Sequence, residues 1–241
     1  AHDPMANGRY LGMLRVLTGY DTEDYFPKWK NVQTQVLDYL NVKYVVTPPR
    51  ADLGDPERYA LVYEGRDGRI FENTTVLPRF YSTPNVILEF KNDRYLGLLQ
   101  KHHDWAGTAL LKSLPVKSDQ ERTDLLAPRS KAAPAAKLHI MSATDIDYHM
   151  LVLAPRYSMV VSSIPFWPGW KVVSNGAAIE PIHVNGAFMG FVVPPGRNDI
   201  HVWYSPLTFW GGLWVAIATA VGLALSSFAP RRGEKVPRSG G

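Results

Sequence analysis

Apolar positions change their spacing twice along the chain. Up to about residue 112 they recur at mixed helical and extended periods, from 137 they alternate, and from 207 to 229 they run on without a single charge. Residues 9–18 (RYLGMLRVLT) and 29–40 (WKNVQTQVLDYL) have helical spacing, and in the second Val32, Val36, Leu37 and Leu40 fall on one face. Residues 42–46 read as a short strand closed by Pro48-Pro49. Residues 60–64 and 69–73 flank Gly65-Arg66-Asp67-Gly68, a turn that predicts a β-hairpin. Extended segments follow at 79–82 and 85–90, then a helix over 91–102 and a strand over 108–112. This part predicts a small α+β domain over 1–115. Residues 113–136 lose periodicity and end rich in Pro, Ala, Lys and Ser, which predicts a linker over 116–136.

The remainder before the apolar run reads as strands only: 138–142, 148–153, 158–164, 170–174, 177–184, 187–193 and 199–204. Asn175-Gly176 and Asn185-Gly186 are the strongest turn signals, because both residue types tolerate positive φ. Strands at roughly ten-residue spacing with turn chemistry between them predict a β-sandwich or jelly-roll-like domain over 137–205. The fold class expected is therefore an α+β N-terminal part, an all-β sandwich, and one C-terminal transmembrane helix at 206–229.

That helix dominates the organisation. Residues 207–229 (LTFWGGLWVAIATAVGLALSSFA) would be about 35 Å long at ~1.5 Å per residue, enough to cross a hydrocarbon core of ~30 Å. Trp203, Tyr204, Phe209 and Trp210 crowd its first end as an interfacial belt would. Only Ser205-Pro206 separates it from the last strand, which places the expected sandwich at the bilayer surface. Most of the net charge of +4 comes from the residues after the span: Arg231, Arg232, Lys235 and Arg238 outnumber Glu234, while residues 1–205 are close to neutral. Charge therefore gives no argument for nucleic acid. By the positive-inside rule it puts residues 1–205 on the extracytoplasmic side of the membrane and residues 230–241 in the cytoplasm. A domain of that size needs export, and residues 1–20 hold no continuous apolar core. The expectation is that these residues form the C-terminal part of a longer protein whose earlier spans deliver them.

Few residues carry chemistry. The chain has no Cys, so disulfides and thiolate metal sites are excluded. Asp145-Ile146-Asp147 has the D-x-D form that can hold a cation under a diphosphate, but at strand period both carboxylates would face solvent. His102-His103-Asp104 suits a polar helix end better than a metal site, since adjacent side chains diverge. Asn73-Thr74-Thr75 matches a glycosylation sequon, a motif short enough to arise by accident. No nucleophile–base set, phosphate loop or dinucleotide fingerprint is present. The aromatic run Phe166, Trp167 and Trp170 is the one candidate binding platform, for a sugar face or for lipid headgroups. Trp170 and Phe188 are expected in the core, and Trp167, between two prolines, at the surface.

The segments LNVKYVVTP (40–48), LPRFY (77–81), FWPGWKVVSNG (166–176) and NGAFMGFVVPPG (185–196), with an aromatic strand leading from them to a span, resemble the C-terminal ectodomain of YfhO-type bacterial membrane proteins. The resemblance implies a polytopic protein of the GT-C glycosyltransferase type. Such a protein has many N-terminal spans, an extracytoplasmic active site and a sugar donor on a polyprenyl phosphate, and it serves cell-envelope glycosylation such as that of teichoic acid. Its acidic catalytic residue would lie in an early loop to which nothing in this chain corresponds, so no catalytic residue, metal ligand or cofactor is carried over. The partners implied are the lipid bilayer, the parent protein's N-terminal transmembrane helices, a polyprenyl-linked sugar and an envelope polymer. The competing reading is a membrane-anchored extracytoplasmic binding or scaffold module without enzymatic activity. A hydrolase with a C-terminal anchor is a weaker third.

Overall fold

The computed structural model describes residues 8–19, 35–101, 104–127 and 135–228. The chain divides into two units, residues 1–204 and residues 205–241. Residues 29–34 of the expected second helix, His102-His103 and the basic tail lie outside the described residues.

The first unit begins with helix α1 (Gly8–Thr18) and a single turn, α2 (Val36–Tyr39). Asn41 ends that turn at φ +60°, a conformation Asn accepts more readily than most residues. Strands β1 (Tyr44–Thr47), β2 (Tyr59–Glu64) and β3 (Arg69–Asn73) form a three-stranded antiparallel sheet in the order β1-β3-β2. The β2–β3 hairpin closes where Gly65 N–H donates to the Gly68 carbonyl at 2.9 Å, as the Gly-Arg-Asp-Gly turn predicts. Leu53, Tyr59 and Phe71 make a small core of their own on this sheet.

Strand β4 (Phe80–Thr83) leads to β5 (Asn85–Leu88), helix α3 (Asn92–Lys101) and β6 (Thr108–Leu111). β5 and β6 pair in parallel around α3, a βαβ arrangement. Within the stretch expected as linker the structure has a helix, α4 (Asp119–Leu126). Its N-cap Ser118 accepts from Glu121 N–H at 3.1 Å, and Glu121 accepts in turn from Lys117 N–H at 2.8 Å. Ser-x-x-Glu is a capping signature that overall periodicity conceals, because the helix has so few apolar residues.

Eight further strands complete the first unit: β7 (Lys137–Ala143), β8 (Asp147–Ala154), β9 (Ser158–Pro165), β10 (Trp170–Ser174), β11 (Ala177–Ile179), β12 (Ile182–Val184), β13 (Phe188–Val193) and β14 (Gly196–Tyr204). They build a five-stranded sheet, β11-β10-β14-β8-β7, and, with β4, a four-stranded sheet, β12-β13-β9-β4. The run 177–184, expected as one strand, is two. It breaks at Glu180-Pro181, and β11 and β12 join different sheets. Proline has no N–H to give a ladder, so the chain changes sheets there. Both Asn-Gly turns adopt positive φ at both positions, +49° and +83° at Asn175-Gly176 and +50° and +94° at Asn185-Gly186.

Alternation along the four-stranded sheet explains how the layers stack. Val160, Ile164, Met189, Phe191 and Val193 pack with Tyr148, Val152, Val172, Ile200 and Val202 of the five-stranded sheet. Met159, Val161, Val184 and Phe188, on the opposite face, pack with Met13, Tyr39, Leu99 and Trp105 of the N-terminal part. Both faces of β9 and β13 are therefore covered, which is why these strands read as nearly continuous apolar runs.

The second unit holds α5 (Leu207–Phe228), a 22-residue helix. Its Leu207–Leu225 segment is long and apolar enough to cross a membrane. Every one of those 19 residues is exposed, and an apolar surface of this extent supports association with a lipid bilayer.

Candidate functional site

Two groups of side chains converge on the strands that end the first unit. The first is aromatic. Trp170 opens β10 opposite Tyr204, the last residue of β14, and their rings are 5.2 Å apart. Pro165, Trp167 and Ile164 complete the wall of a recess of about 400 Å³. Trp170 is buried and Trp167 is 41 % exposed, as their positions in the sequence predict. Phe166 does not join them. Its ring turns to meet His183 edge-on, with centroids 4.4 Å apart. Of the three platform residues, the structure thus brings two together around an apolar recess and gives the third a separate partner. Phe188 is fully buried, as expected.

The second group is charged and lies on the outer face of the five-stranded sheet. Strand alternation turns Tyr148, Met150 and Val152 of β8 inward, and Asp147 and His149 outward. On the neighbouring β14, Ile200 and Val202 point inward, and His201 and Trp203 outward. The antiparallel register sets His149 directly opposite His201, and Asp147 opposite Trp203. His201 Nε2 is 3.0 Å from Asp147 Oδ2, and His149 Nε2 is 3.5 Å from Asp147 Oδ1. The two imidazoles stack at 4.0 Å, and Trp203 covers the far side of His201 at 4.4 Å.

The D-x-D pair does not act as a unit. Asp145 sits in the bend before β8, where its backbone carbonyl accepts from the Tyr148 hydroxyl at 3.2 Å. Asp147 is on the strand and is only 43 % exposed. Asp145 is exposed, but Asp147 is half-buried beside two histidines rather than simply solvated. The signal available in the sequence is the Asp-x-His spacing on one strand face; the third member depends on a pairing register that the sequence does not display.

A larger groove of about 630 Å³ lies between α1 and α3, with Arg9, Lys112 and His183 on its walls. Burial, and then the nearby Arg9 guanidinium, holds the His183 imidazole below its ordinary pKa. Burial pushes the Tyr95 phenol up to about 12, and that hydroxyl accepts from Gly186 N–H at 2.6 Å. These groups tie α3 to the second Asn-Gly turn. Asn73 of the sequon is 1 % exposed and donates to Asp38 Oδ1 at 2.8 Å and to the Val42 carbonyl at 3.0 Å, so it is a structural residue closed to glycan attachment in the folded state.

No curated protein and no solved structure matches the chain. Residues 119–216 match the family model described as bacterial membrane protein YfhO. The matched stretch begins at α4, takes in β7 to β14 with both groups of side chains, and enters α5. The chain thus carries a YfhO-family-like region and, near its C-terminal end, one helix long enough to span a membrane.

Proposed function

We propose that this chain is the extracytoplasmic C-terminal portion of a YfhO-type polytopic membrane protein, a GT-C-type glycosyltransferase that draws on a polyprenyl-phosphate-linked sugar for envelope glycosylation. Its own role is accessory. The observation that carries the reading is the YfhO match, which runs without a break from the sandwich into the apolar helix. The aromatic recess supports it: Trp167, Trp170 and Tyr204 offer apolar faces with polar edges at the end of β14, two residues of chain before the span, where a sugar or a headgroup would meet them.

The test is the native protein purified from membranes of its source. The intact mass is expected to exceed that of these 241 residues several-fold, with further spans preceding Ala1, and removal of the protein should abolish sugar transfer from a polyprenyl-phosphate donor. In the same assay Trp167→Ala should lower transfer several-fold at an unchanged melting temperature. A native protein with the mass of this chain alone would overturn the transferase reading and leave a membrane-anchored binding module.

Orientation is tested separately. These 241 residues contain no Cys, so each introduced cysteine is the single thiol of this portion, and its labelling is read against the unsubstituted protein. Lys171→Cys, at the exposed position of β10, is expected to react with a membrane-impermeant maleimide in intact cells, and Arg238→Cys only after permeabilisation. The reverse pattern would place the sandwich in the cytoplasm.

A further inference from the structure

We propose that Asp147, His149 and His201 form a binding site for a divalent transition-metal ion of the zinc class, independent of any transferase role. Two imidazole nitrogens and one carboxylate oxygen are a borderline donor set. It suits zinc, and it disfavours magnesium and calcium, which take oxygen ligands. The ligand atoms of the three residues all lie within 4.8 Å of one another. A four-coordinate ion with bonds of ~2.0–2.1 Å holds its ligand atoms about 3.3 Å apart. The two nitrogen–oxygen separations, 3.0 Å from His201 to Oδ2 and 3.5 Å from His149 to Oδ1, bracket that value, each ring facing its own oxygen of the carboxylate. Convergence of both Nε2 atoms on one ion needs the His149 ring to turn away from His201, and its side chain, 43 % exposed, has room to do so.

The scaffold is rigid where it matters. β8 and β14 are interior strands of the five-stranded sheet, paired over eight residues. Their inward side chains are fixed in the core, so the outward pair His149 and His201 stays in register. The stack Trp203–His201–His149 fixes His201 between two rings and leaves both Nε2 atoms beside the same carboxylate; an ion shared by both nitrogens requires the outer ring, His149, to swing out of the stack. Three protein ligands on an open sheet face leave one coordination position to solvent, so water or an exogenous oxyanion completes the shell, as in open zinc sites. A purely structural cluster would use the same hydrogen bonds, but it would take up no metal.

The experiment uses the full chain in detergent micelles, without a polyhistidine tag and in a His102→Ala/His103→Ala background, which removes the adjacent histidine pair. Zn²⁺ is titrated in competition with a chromogenic chelator. One equivalent is expected to bind. His149→Gln, His201→Gln and Asp147→Asn should each weaken it by at least about tenfold, the lower end of what loss of a ligand-orienting residue costs. His139→Ala, on β7 and outside the cluster, should leave affinity unchanged. The metal-free melting temperature of each variant checks that the fold survives, and the His149 variant, on the more exposed ring, is the least disturbing. Absence of stoichiometric Zn²⁺ binding, or equal binding by the parent and the His149→Gln/His201→Gln double variant, would overturn the proposal.

Discussion

Asp38→Ala is expected to destabilise the first unit by about 3–5 kcal/mol, the usual cost of removing one partner from a buried ion pair. The Asp38 carboxylate accepts from Arg58 at 2.8 Å, Asn73 Nδ2 at 2.8 Å and the Thr75 hydroxyl at 2.9 Å. Arg58 and Asp38 are both nearly shielded from water. Alanine would leave three donors, one of them a guanidinium, facing an empty space at the end of α2. The same residue's backbone carbonyl accepts from Asn41 and Leu77, so the network ties α2 to the segment leading into β4. At roughly 2–4 °C per kcal/mol for a unit of this size, the melting temperature should fall by about 10 °C. The intrinsic fluorescence of Trp105, stacked on Tyr39 at 4.8 Å, reports it. Asp38→Ala combined with Arg58→Leu should recover part of the loss, because the stranded charge is gone. A shift of less than 2 °C in the single variant would mean that the network is solvated and contributes little.

The range of the interaction that decides each element sets how far the sequence discloses it. The Asn-Gly turns and the β2–β3 hairpin depend on a few adjacent residues, and their register is visible in the chain. The span needs only composition and length. Helix α4 is equally local, but its evidence is a capping residue and a glutamate rather than an apolar stripe, and a search by periodicity passes over it. The break at Glu180-Pro181 is marked by the proline. The sheet to which each half belongs depends on contacts with β10 and β13.

The candidate sites divide in the same way. Burial of Trp170 and exposure of Trp167 follow from strand alternation and from two flanking prolines. The separation of Phe166 from that pair does not, because it depends on where His183 lies across the sheet. The Asp147–His149–His201 cluster is the extreme case. His201 is 52 residues beyond His149, and only the β8–β14 register joins them. Of the segments that carry the family resemblance, 166–176 and 185–196 fall inside the YfhO match and 40–48 and 77–81 outside it. The resemblance is thus strongest in the sandwich.

Phe188→Ala should cost about 3–5 kcal/mol, and it tests whether the layers of the first unit unfold together. The ring is fully buried, edge-on to Tyr39 at 4.7 Å and to Tyr10 at 5.8 Å, on the face of β13 turned toward the N-terminal elements. Phe191, three residues on, is buried on the other face against the five-stranded sheet. Because β9 and β13 supply one wall to each core, neither core can open without exposing the strands that close the other. Phe188→Ala and Phe191→Ala should therefore lower a single transition by comparable amounts. Amide exchange in α3 and in β8 should speed up together in both variants. The alternative is a separately folding N-terminal part over 1–115. Phe188→Ala would then release α3 at lower temperature and leave β8 and β14 protected, and two transitions would be seen. In that case β4, which is paired to β9 along Phe80–Thr83, would be an edge strand lent to an independent sandwich rather than part of a common core.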